Sequence, residues 1–435
     1  MQNASRVRAQ LRAEQAINSD NLAGIATDQN GGIHGKSARR QHQNRPSIPE
    51  KFISSAGLLA WERSMSRWTP EEIDRIAAEV AAIPEIQQRC LANSSKNMKV
   101  ADRVAHQYQI AGGKVSLRIC AELPENLDGV GLFKSGAEYA GIGRISTGLG
   151  CPHSETSPDF LGLRLAFLTP GGARVDFIAI NDPAAPTDTP GEFMKLLAGT
   201  AEAAGSAIVA SEATLSLSLV RRLGVTRGAQ IIAHVTKQTL RTALSSTAYQ
   251  SYWTGIVEVG GVLGKCLFVP IREENQFRGL AAGPQRLTEE WRERQGKGTV
   301  EFDLYWLPFI DELATPLLEL TKAWQEHRCL VGRAAFPQCD LRNEEAALWA
   351  ALASEMGANP GNWVRDQTNS IAEPQTEFGL ARKIAYRKSQ EGRAVLPESE
   401  YADVFSSGVI SDILAAELRR RRDAKRSMGH IDAAI

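Results

Sequence analysis

Residues 162–180 read GLRLAFLTPGGARVDFIAI, and this stretch constrains the fold more than any other part of the chain. Leu163, Leu165 and Phe167 alternate with other residues before the TPGG turn, and the alternation resumes at Val175 after it. A period of two is typical of a β-strand, and Pro and Gly between two such runs indicate a turn. The sequence therefore predicts a β-hairpin.

Strand patterns also occur before and after this hairpin. Apolar residues alternate with polar ones in two further runs, at Val115, Leu117 and Ile119, and at Val300, Phe302, Leu304 and Trp306. The stretches YWTGIVEVGGVLGKCLFVPI and CLVGRAAF have strand character as well. This many antiparallel strands must protect their edges, and closure into a barrel protects them completely. We therefore predict an α+β fold with an antiparallel β-barrel of about eight strands.

Helical patterns separate and flank the two blocks of strands. Thr69, Pro70 and Glu72 have the pattern of a helix start with a capping box. We predict a disordered or draped polar arm over 1–50, an N-terminal helical segment over 51–99, a barrel over 100–345 with a helical insertion at 190–245, and a wrapping segment with C-terminal helices over 346–435.

Composition excludes several classes of protein. Fifty basic and fifty acidic side chains cancel, so no overall charge attracts nucleic acid, and the run Arg419–Arg422 is read as a solvated helix end. No apolar run is long enough to span a membrane, and the first residues lack the apolar stretch of a secretory signal. Six cysteines without a CxxC pair are typical of free thiols. We expect a cytoplasmic protein.

Three separated stretches hold residue types that could form a site. They are ADRVAHQYQIAGG with Arg103 and His106, YAGIGRISTGLG with Arg144 and Ser146, and FGLARKIAYRKSQEGRA with Arg382, Tyr386 and Arg393. Taken singly, such a histidine or tyrosine is more often structural. The other candidates are read as structural, solvent-facing or accidental, namely His34, His42, His234, His327, His430 and the pair Cys151 and His153.

Taken together, the stretches resemble the haem catalase family. RVAHQYQIAG, RIST, DFLGLRLAFLTPGG, FIAIND and RKIAYRKSQEGR follow one another in the order and spacing of that family's motifs. The chain looks most like the small catalase-related haem proteins, relatives of catalase and allene oxide synthase that often favour organic hydroperoxides or peroxidase chemistry. The resemblance implies a catalase-like barrel, a haem b cofactor and a peroxide substrate.

The resemblance also implies roles on the proximal side of the haem. Tyr386 matches the tyrosinate that ligates the ferric iron. Arg382 lies four residues earlier, on the same face of a helix, and its positive charge would favour the phenolate form. Arg393, with Arg103 and Arg144, matches the set that pairs with the two haem propionates.

Distal roles follow in the same way. His106 matches the residue that moves a proton between the two peroxide oxygens, and Ser146 matches the residue that fixes its tautomer. Asn181 is the candidate for the distal amide, although counting along the strand places Ile180 under the family's first Asn. Phe193 is either an aromatic at the porphyrin edge or a core residue.

These roles lead to a haem-dependent peroxide enzyme that oxidises a second molecule or rearranges the first. Its substrate would be hydrogen peroxide or an organic, including lipid, hydroperoxide. Two alternatives stay open, which are a biosynthetic enzyme of the same kind and a haem-binding protein without turnover. The long N-terminal arm suggests a contact between subunits of a homo-oligomer.

Overall fold

The computed structural model describes residues 68–94, 103, 105–148, 155, 159–204, 208–242, 246–271, 283–325, 327–364, 372, 374–391, 393 and 395–427. The arm predicted over 1–50 and the pair Cys151 and His153 lie outside these residues. No helix in the described part of the chain is both long and apolar enough to cross a membrane.

The strands form one antiparallel sheet. They are β1 (Gln109–Ile119), β2 (Glu138–Thr147), β3 (Leu161–Leu168), β4 (Arg174–Ile180), β5 (Tyr252–Thr254), β6 (Val257–Val259), β7 (Val262–Pro270), β8 (Val300–Pro308) and β9 (Cys329–Phe336). The order β1-β2-β3-β4-β5-β7-β8-β9 closes on itself because β9 also pairs with β1, while β6 pairs with β7 outside this ring. The barrel is therefore a closed ring of eight strands.

Helices lie before, between and after the strands. They are α1 (Pro70–Glu79), α2 (Ile83–Ser94), α3 (Pro190–Ala203), α4 (Ile208–Leu223), α5 (Val225–Thr242), α6 (Arg286–Lys297), α7 (Glu344–Glu355), α8 (Glu377–Glu391), α9 (Ala402–Ser407) and α10 (Asp412–Ser427). Helices α3 to α5 form an insertion between β4 and β5, and α7 to α10 follow the barrel. The predicted fold class is confirmed, including its insertion and its helical C-terminal region.

Apolar side chains fill the inside of the barrel. Leu165, Phe177 and Phe302 are fully buried there. The ring of Phe177 packs edge to face on Phe167 and Phe268, with ring centroids 6.0 Å and 5.4 Å apart. Because neighbouring residues of a strand point to opposite faces, the polar residues between these apolar ones point out of the barrel. Any site that uses them must lie on the outer face.

Helix α8 is held in place by the N-terminal helices. The predicted capping box at Thr69 is present, with Thr69 accepting a hydrogen bond from the backbone of Glu72. Leu380 and Ala381 of α8 pack in one apolar cluster with residues of α1 and α2. Gln87 adds a hydrogen bond of 3.0 Å to the Ser389 hydroxyl. These contacts fix α8 against the barrel side that carries the site.

Candidate functional site

A large cavity of about 820 Å³ lies against the outer face of the barrel. Strands β2 to β5 and β7 contribute to its floor, and α3, α4, α5 and α8 form its other walls. The volume falls within the range of pockets that bind small molecules and cofactors. Eight of the nine residues singled out in the sequence line it, namely Arg103, His106, Arg144, Ser146, Phe193, Arg382, Tyr386 and Arg393.

The backbone of His106 has a strained conformation. Its φ of 56° is the only positive value at a non-glycine residue within the described ranges. The N–H of His106 donates to the carbonyl of Gly148 at 2.9 Å, and its carbonyl accepts from Arg144 Nη2 at 2.8 Å. Such strain costs about 1–3 kcal/mol, persists where surrounding contacts impose it, and clusters at functional sites.

The imidazole of His106 packs on the barrel wall. Its Nδ1 lies 3.3 Å from the Ser146 hydroxyl, and Ser146 pairs in register with Gly162 on β3. A Cβ at residue 162 would overlap Nδ1 and Cε1 of the ring, so the absence of a side chain at Gly162 makes room for it. None of the described residues hydrogen-bonds Nε2, which leaves this nitrogen to exchange a proton inside the cavity.

The surroundings keep the His106 imidazole neutral. Burial lowers the pKa of His106 to about 4, and the positive charges of Arg144, Arg103 and Arg382 act in the same direction. The carboxylate of Asp159 opposes them. At neutral pH the ring is therefore an acceptor for a proton, which is the state a general base requires.

Arg144 positions the His106 segment. Its Nη2 donates to the carbonyls of His106 and Gln107, and its Nε donates to Gln109 Oε1 at 3.0 Å. Gln109 in turn donates to the carbonyl of Ala350 on α7 at 3.0 Å. Two of its nitrogens thus bind protein acceptors, and the role at the haem propionates that the resemblance implies for Arg144 stays a prediction.

The opposite wall belongs to α8. Arg382 and Tyr386 lie four residues apart on this helix, so they share one face, and both line the cavity. The Tyr386 hydroxyl forms no hydrogen bond with any residue that the structure describes. Gly255, after β5, leaves room for the guanidinium of Arg382, since a Cβ there would overlap Nη1.

The cavity wall carries an excess of positive charge. Its charged residues are the cations Arg103, Arg144, Arg164, Arg382, Arg393 and Lys265 and the two carboxylates Asp159 and Asp182. Arg103 also donates to the carbonyl of Ser354 at the end of α7. Because charges of one sign in a low-dielectric cleft reinforce one another, the cavity favours an anionic ligand.

Sequence reasoning missed Arg164. This residue points out of β3 into the cavity wall, is only 8% exposed, and forms an ion pair of 3.5 Å with the buried Asp176. It also donates to the carbonyl of Gly357 at 2.7 Å. The sequence signal that could have revealed it is an arginine placed between Leu163 and Leu165. A charged side chain in an apolar strand needs polar partners if it is buried, so such a residue points to an ion pair.

Asn181 is the candidate that the structure does not bring into the cavity. It follows the last residue of β4, where its Oδ1 accepts from the N–H of Leu161 at 2.8 Å and its Nδ2 donates to Gln250 at 3.3 Å. Ile180, the alternative in the strand register, lines the cavity instead. The amide of Asn181 thus joins the start of β3 to the end of β4.

Phe193 packs in the core and also lines the cavity. Its ring lies at the cavity wall and makes an edge contact with Phe378 of α8, with centroids 5.6 Å apart. Phe193 also packs against two apolar clusters that join α3 to α1 and to α4. It is a core residue with one side facing the cavity.

Comparisons with known proteins identify the fold. No family model matches the chain, and no curated protein matches it. Among solved structures, a fungal catalase is similar with 16% identity and a TM-score of 0.53 over 70% of this chain and 63% of its own. Catalase A from Saccharomyces cerevisiae has 14% identity and a TM-score of 0.53 over 72% of this chain and 64% of its own. A bacterial catalase has 14% identity and a TM-score of 0.52 over 89% of this chain and 70% of its own.

The chain thus spans less than two thirds of the length of the first two catalases, and identities this low carry the fold alone. The closed barrel and the helices around it agree with this likeness. The protein has a catalase-like fold.

Proposed function

We propose that this protein is a haem-dependent enzyme that metabolises peroxides, with haem b held by Tyr386 and with His106 as the residue that moves the proton. The observation that carries the proposal is the meeting of these two side chains, from opposite ends of the barrel-containing region, in one electropositive cavity. Neither residue alone would distinguish this function from a structural role.

The donor set of the cavity fits a haem. A phenol with no hydrogen bond from the described residues is suited to ligate ferric iron. Arg103 and Arg393 line the same cavity and would neutralise the propionates. Phe193 and Phe378 supply apolar contact for a macrocycle. Ferric haem would supply the metal centre at which a peroxide O–O bond is activated.

The chain's own residues would then handle the proton. His106 Nε2 takes the proton from one peroxide oxygen and returns it to the other, because the imidazole is neutral at the start. The Ser146 hydroxyl and Gly162 hold the ring in place. Arg144 fixes the backbone on which the ring is mounted.

The lining favours an organic hydroperoxide over hydrogen peroxide. Ile180 lies in the cavity wall where the amide of Asn181 was expected, so the wall at this strand end is apolar. Apolar residues of α3, α4 and α5 also line the cavity. This arrangement supports a peroxidase or a biosynthetic enzyme acting on an organic hydroperoxide more than a dismutase of hydrogen peroxide.

Optical titration of the purified protein with ferric haem b tests the proposal. We expect a saturable complex with the spectrum of a high-spin tyrosinate-ligated haem. Tyr386→Phe should change that spectrum and weaken binding, whereas Tyr305→Phe, a tyrosine of β8 outside the cavity, should leave both unchanged. An unchanged Soret band in Tyr386→Phe contradicts the ligand assignment.

Turnover provides the second test. We expect dye oxidation with an organic hydroperoxide to exceed oxygen release from hydrogen peroxide. His106→Asn should lower the dye-oxidation rate by about a hundredfold or more, the usual contribution of a general base. A complex that binds haem but turns over neither peroxide would support the alternative of a haem-binding protein.

A further inference from the structure

A buried cation lies at the end of the cavity away from His106. Lys265 of β7 is 5% exposed, lines the cavity, and has its Nζ 4.6 Å from the centroid of the Trp324 ring. It forms no hydrogen bond and no ion pair with any residue that the structure describes. A buried ammonium without a hydrogen-bonded partner is unfavourable by itself, so this position is suited to an anion from outside the chain.

The nearest carboxylate is already engaged. Burial lowers the pKa of Lys265 to about 8, and the carboxylate of Asp182 acts in the opposite direction. Asp182 Oδ2 lies 2.8 Å from His234 Nε2, and its Oδ1 accepts from the N–H of Ala184 at 3.0 Å. Asp182 therefore influences Lys265 through space while its oxygens bond elsewhere.

The barrel register relates the two ends of the cavity. Ser146, Gly162, Ile180, Trp253 and Leu267 pair across β2, β3, β4, β5 and β7 in one continuous row. Lys265 is two residues from Leu267 and thus on the same face, three strands from the Gly162 position that supports the His106 ring. Spacings of about 4.8 Å between strands and 3.4 Å along them place these positions roughly 15 Å apart.

The wall between the two ends is mostly apolar. Ile180, Trp253 and Ile256 come from the barrel side, and Leu219, Ile232 and Val235 come from the inserted helices. An elongated apolar ligand would bury its chain against these residues, at about 25 cal/mol for each Å² removed from water. A ligand with a charged group in its middle would lose that contribution.

We propose that Lys265 binds the carboxylate of a long-chain carboxylic acid whose apolar chain lies along this wall and reaches toward His106. This proposal depends on the proposed function in one respect. If the acid is the substrate, the end of its chain near His106 carries the hydroperoxide group. The binding of the carboxylate itself involves no chemical step.

Calorimetric titration of the full-length protein with oleic acid and with methyl oleate tests the proposal. The two probes share the chain and differ in the charge. We expect the wild-type protein to bind the acid more tightly than the ester by roughly tenfold or more, the contribution of a hydrogen bond to a charged group. In Lys265→Met this preference should disappear, because the acid loses its partner while the ester retains the apolar wall.

Lys237→Met is the matched control, because Lys237 is an exposed lysine of α5 that does not line the cavity. It should keep the preference for the acid. Methionine fills the place of a lysine stem without a charge, so Lys265→Met is expected to fold, which thermal unfolding verifies.

The outcomes separate the two proposals. Equal affinity for acid and ester in the wild type, an unchanged preference in Lys265→Met, or no binding of either probe would overturn the assignment of Lys265. Failure to take up haem, with a preference for the acid that depends on Lys265, would overturn the proposed function and leave the carboxylate site standing.

Discussion

His106 Nδ1 lies 3.3 Å from the Ser146 hydroxyl, and the two segments meet where β1 pairs with β2, with Gln109 opposite Ser146. The ring is confined between this hydroxyl and the bare backbone of Gly162. Its backbone, with a φ of 56°, is held by Gly148 and Arg144. Both the position and the protonation state of the imidazole are therefore set by the barrel.

The first prediction concerns Gly162→Ala. The added methyl group would overlap Nδ1 and Cε1 of His106, so the imidazole must move away from Ser146. A displacement of this kind costs on the order of a hundredfold in kcat/KM, because proton transfer depends on geometry. We expect this loss in steady-state assays with an organic hydroperoxide, together with a shift of the His106 ring signals in NMR spectra.

Gly113→Ala is the control for this substitution. Gly113 is a glycine of β1 at which a Cβ would meet no atom within 4 Å. Its kcat/KM and ring signals should match those of the wild type. Wild-type kinetics in Gly162→Ala would show that the ring does not depend on this contact.

The second prediction concerns the pH dependence of stability. The pKa of His106 is about 4 in the folded protein, against an ordinary value of 6.5. Between pH 4 and pH 6.5 the unfolded chain binds a proton at this residue and the folded chain does not. The neutral imidazole's contribution to the free energy of unfolding is therefore fully present above pH 6.5 and is lost as the pH falls toward 4. The loss is on the order of 3 kcal/mol.

Urea unfolding of the wild type and of His106→Asn over this pH range measures the effect. Asparagine tolerates a positive φ and does not titrate, so the variant should lose less stability on acidification than the wild type. His327→Asn, at an exposed position outside the cavity, should follow the wild-type profile. Parallel profiles for the wild type and His106→Asn would exclude a depressed pKa at this residue.

The third prediction concerns Arg144→Met. The substitution leaves the carbonyls of His106 and Gln107 and the side-chain oxygen of Gln109 without the donor that Arg144 provides. These acceptors lie in the interior, since Arg144 is only 4% exposed. Buried acceptors left without donors cost about 1–3 kcal/mol each, so we expect the free energy of unfolding to fall by about 3 kcal/mol.

Arg118→Met provides the comparison in denaturant unfolding experiments. Arg118 of β1 forms an exposed ion pair of 2.6 Å with Glu138, and such pairs contribute less than about 1 kcal/mol. If both variants lost the same small amount, the hydrogen bonds of Arg144 would have no special part in holding the His106 segment.

Much of the fold was predictable because local patterns agree with the final structure. The alternation around TPGG predicted the hairpin that became β3 and β4, and the polar and small residues at Thr69–Glu72 predicted the start of α1. The closure of the barrel was expected only in general terms. Pairing of β9 with β1 and of β5 with β7 joins distant segments, and such pairing leaves no periodic signal in a single sequence.

The site was predictable where motifs carried it and not where packing did. His106, Arg382 and Tyr386 were found by resemblance, and each lines the cavity. The side chain of Asn181 turned out to bind Leu161 and Gln250, because hydrogen bonds at a strand end decide where an amide points. Lys265 gave no signal, since a lysine in a strand is read as solvent-facing until the covering segment is known.

The two main walls of the cavity come from widely separated parts of the chain. Strands β2 and β3 are synthesised early, and α8 is synthesised only after all the strands of the sheet. Until α8 docks, the side of the cavity that α8 covers stays open to solvent in a nascent chain, together with the apolar residues of α1 and α2 that pack on α8. Late closure of this kind favours aggregation during translation, and we expect the yield of folded protein to respond to chaperones that shield exposed apolar surface.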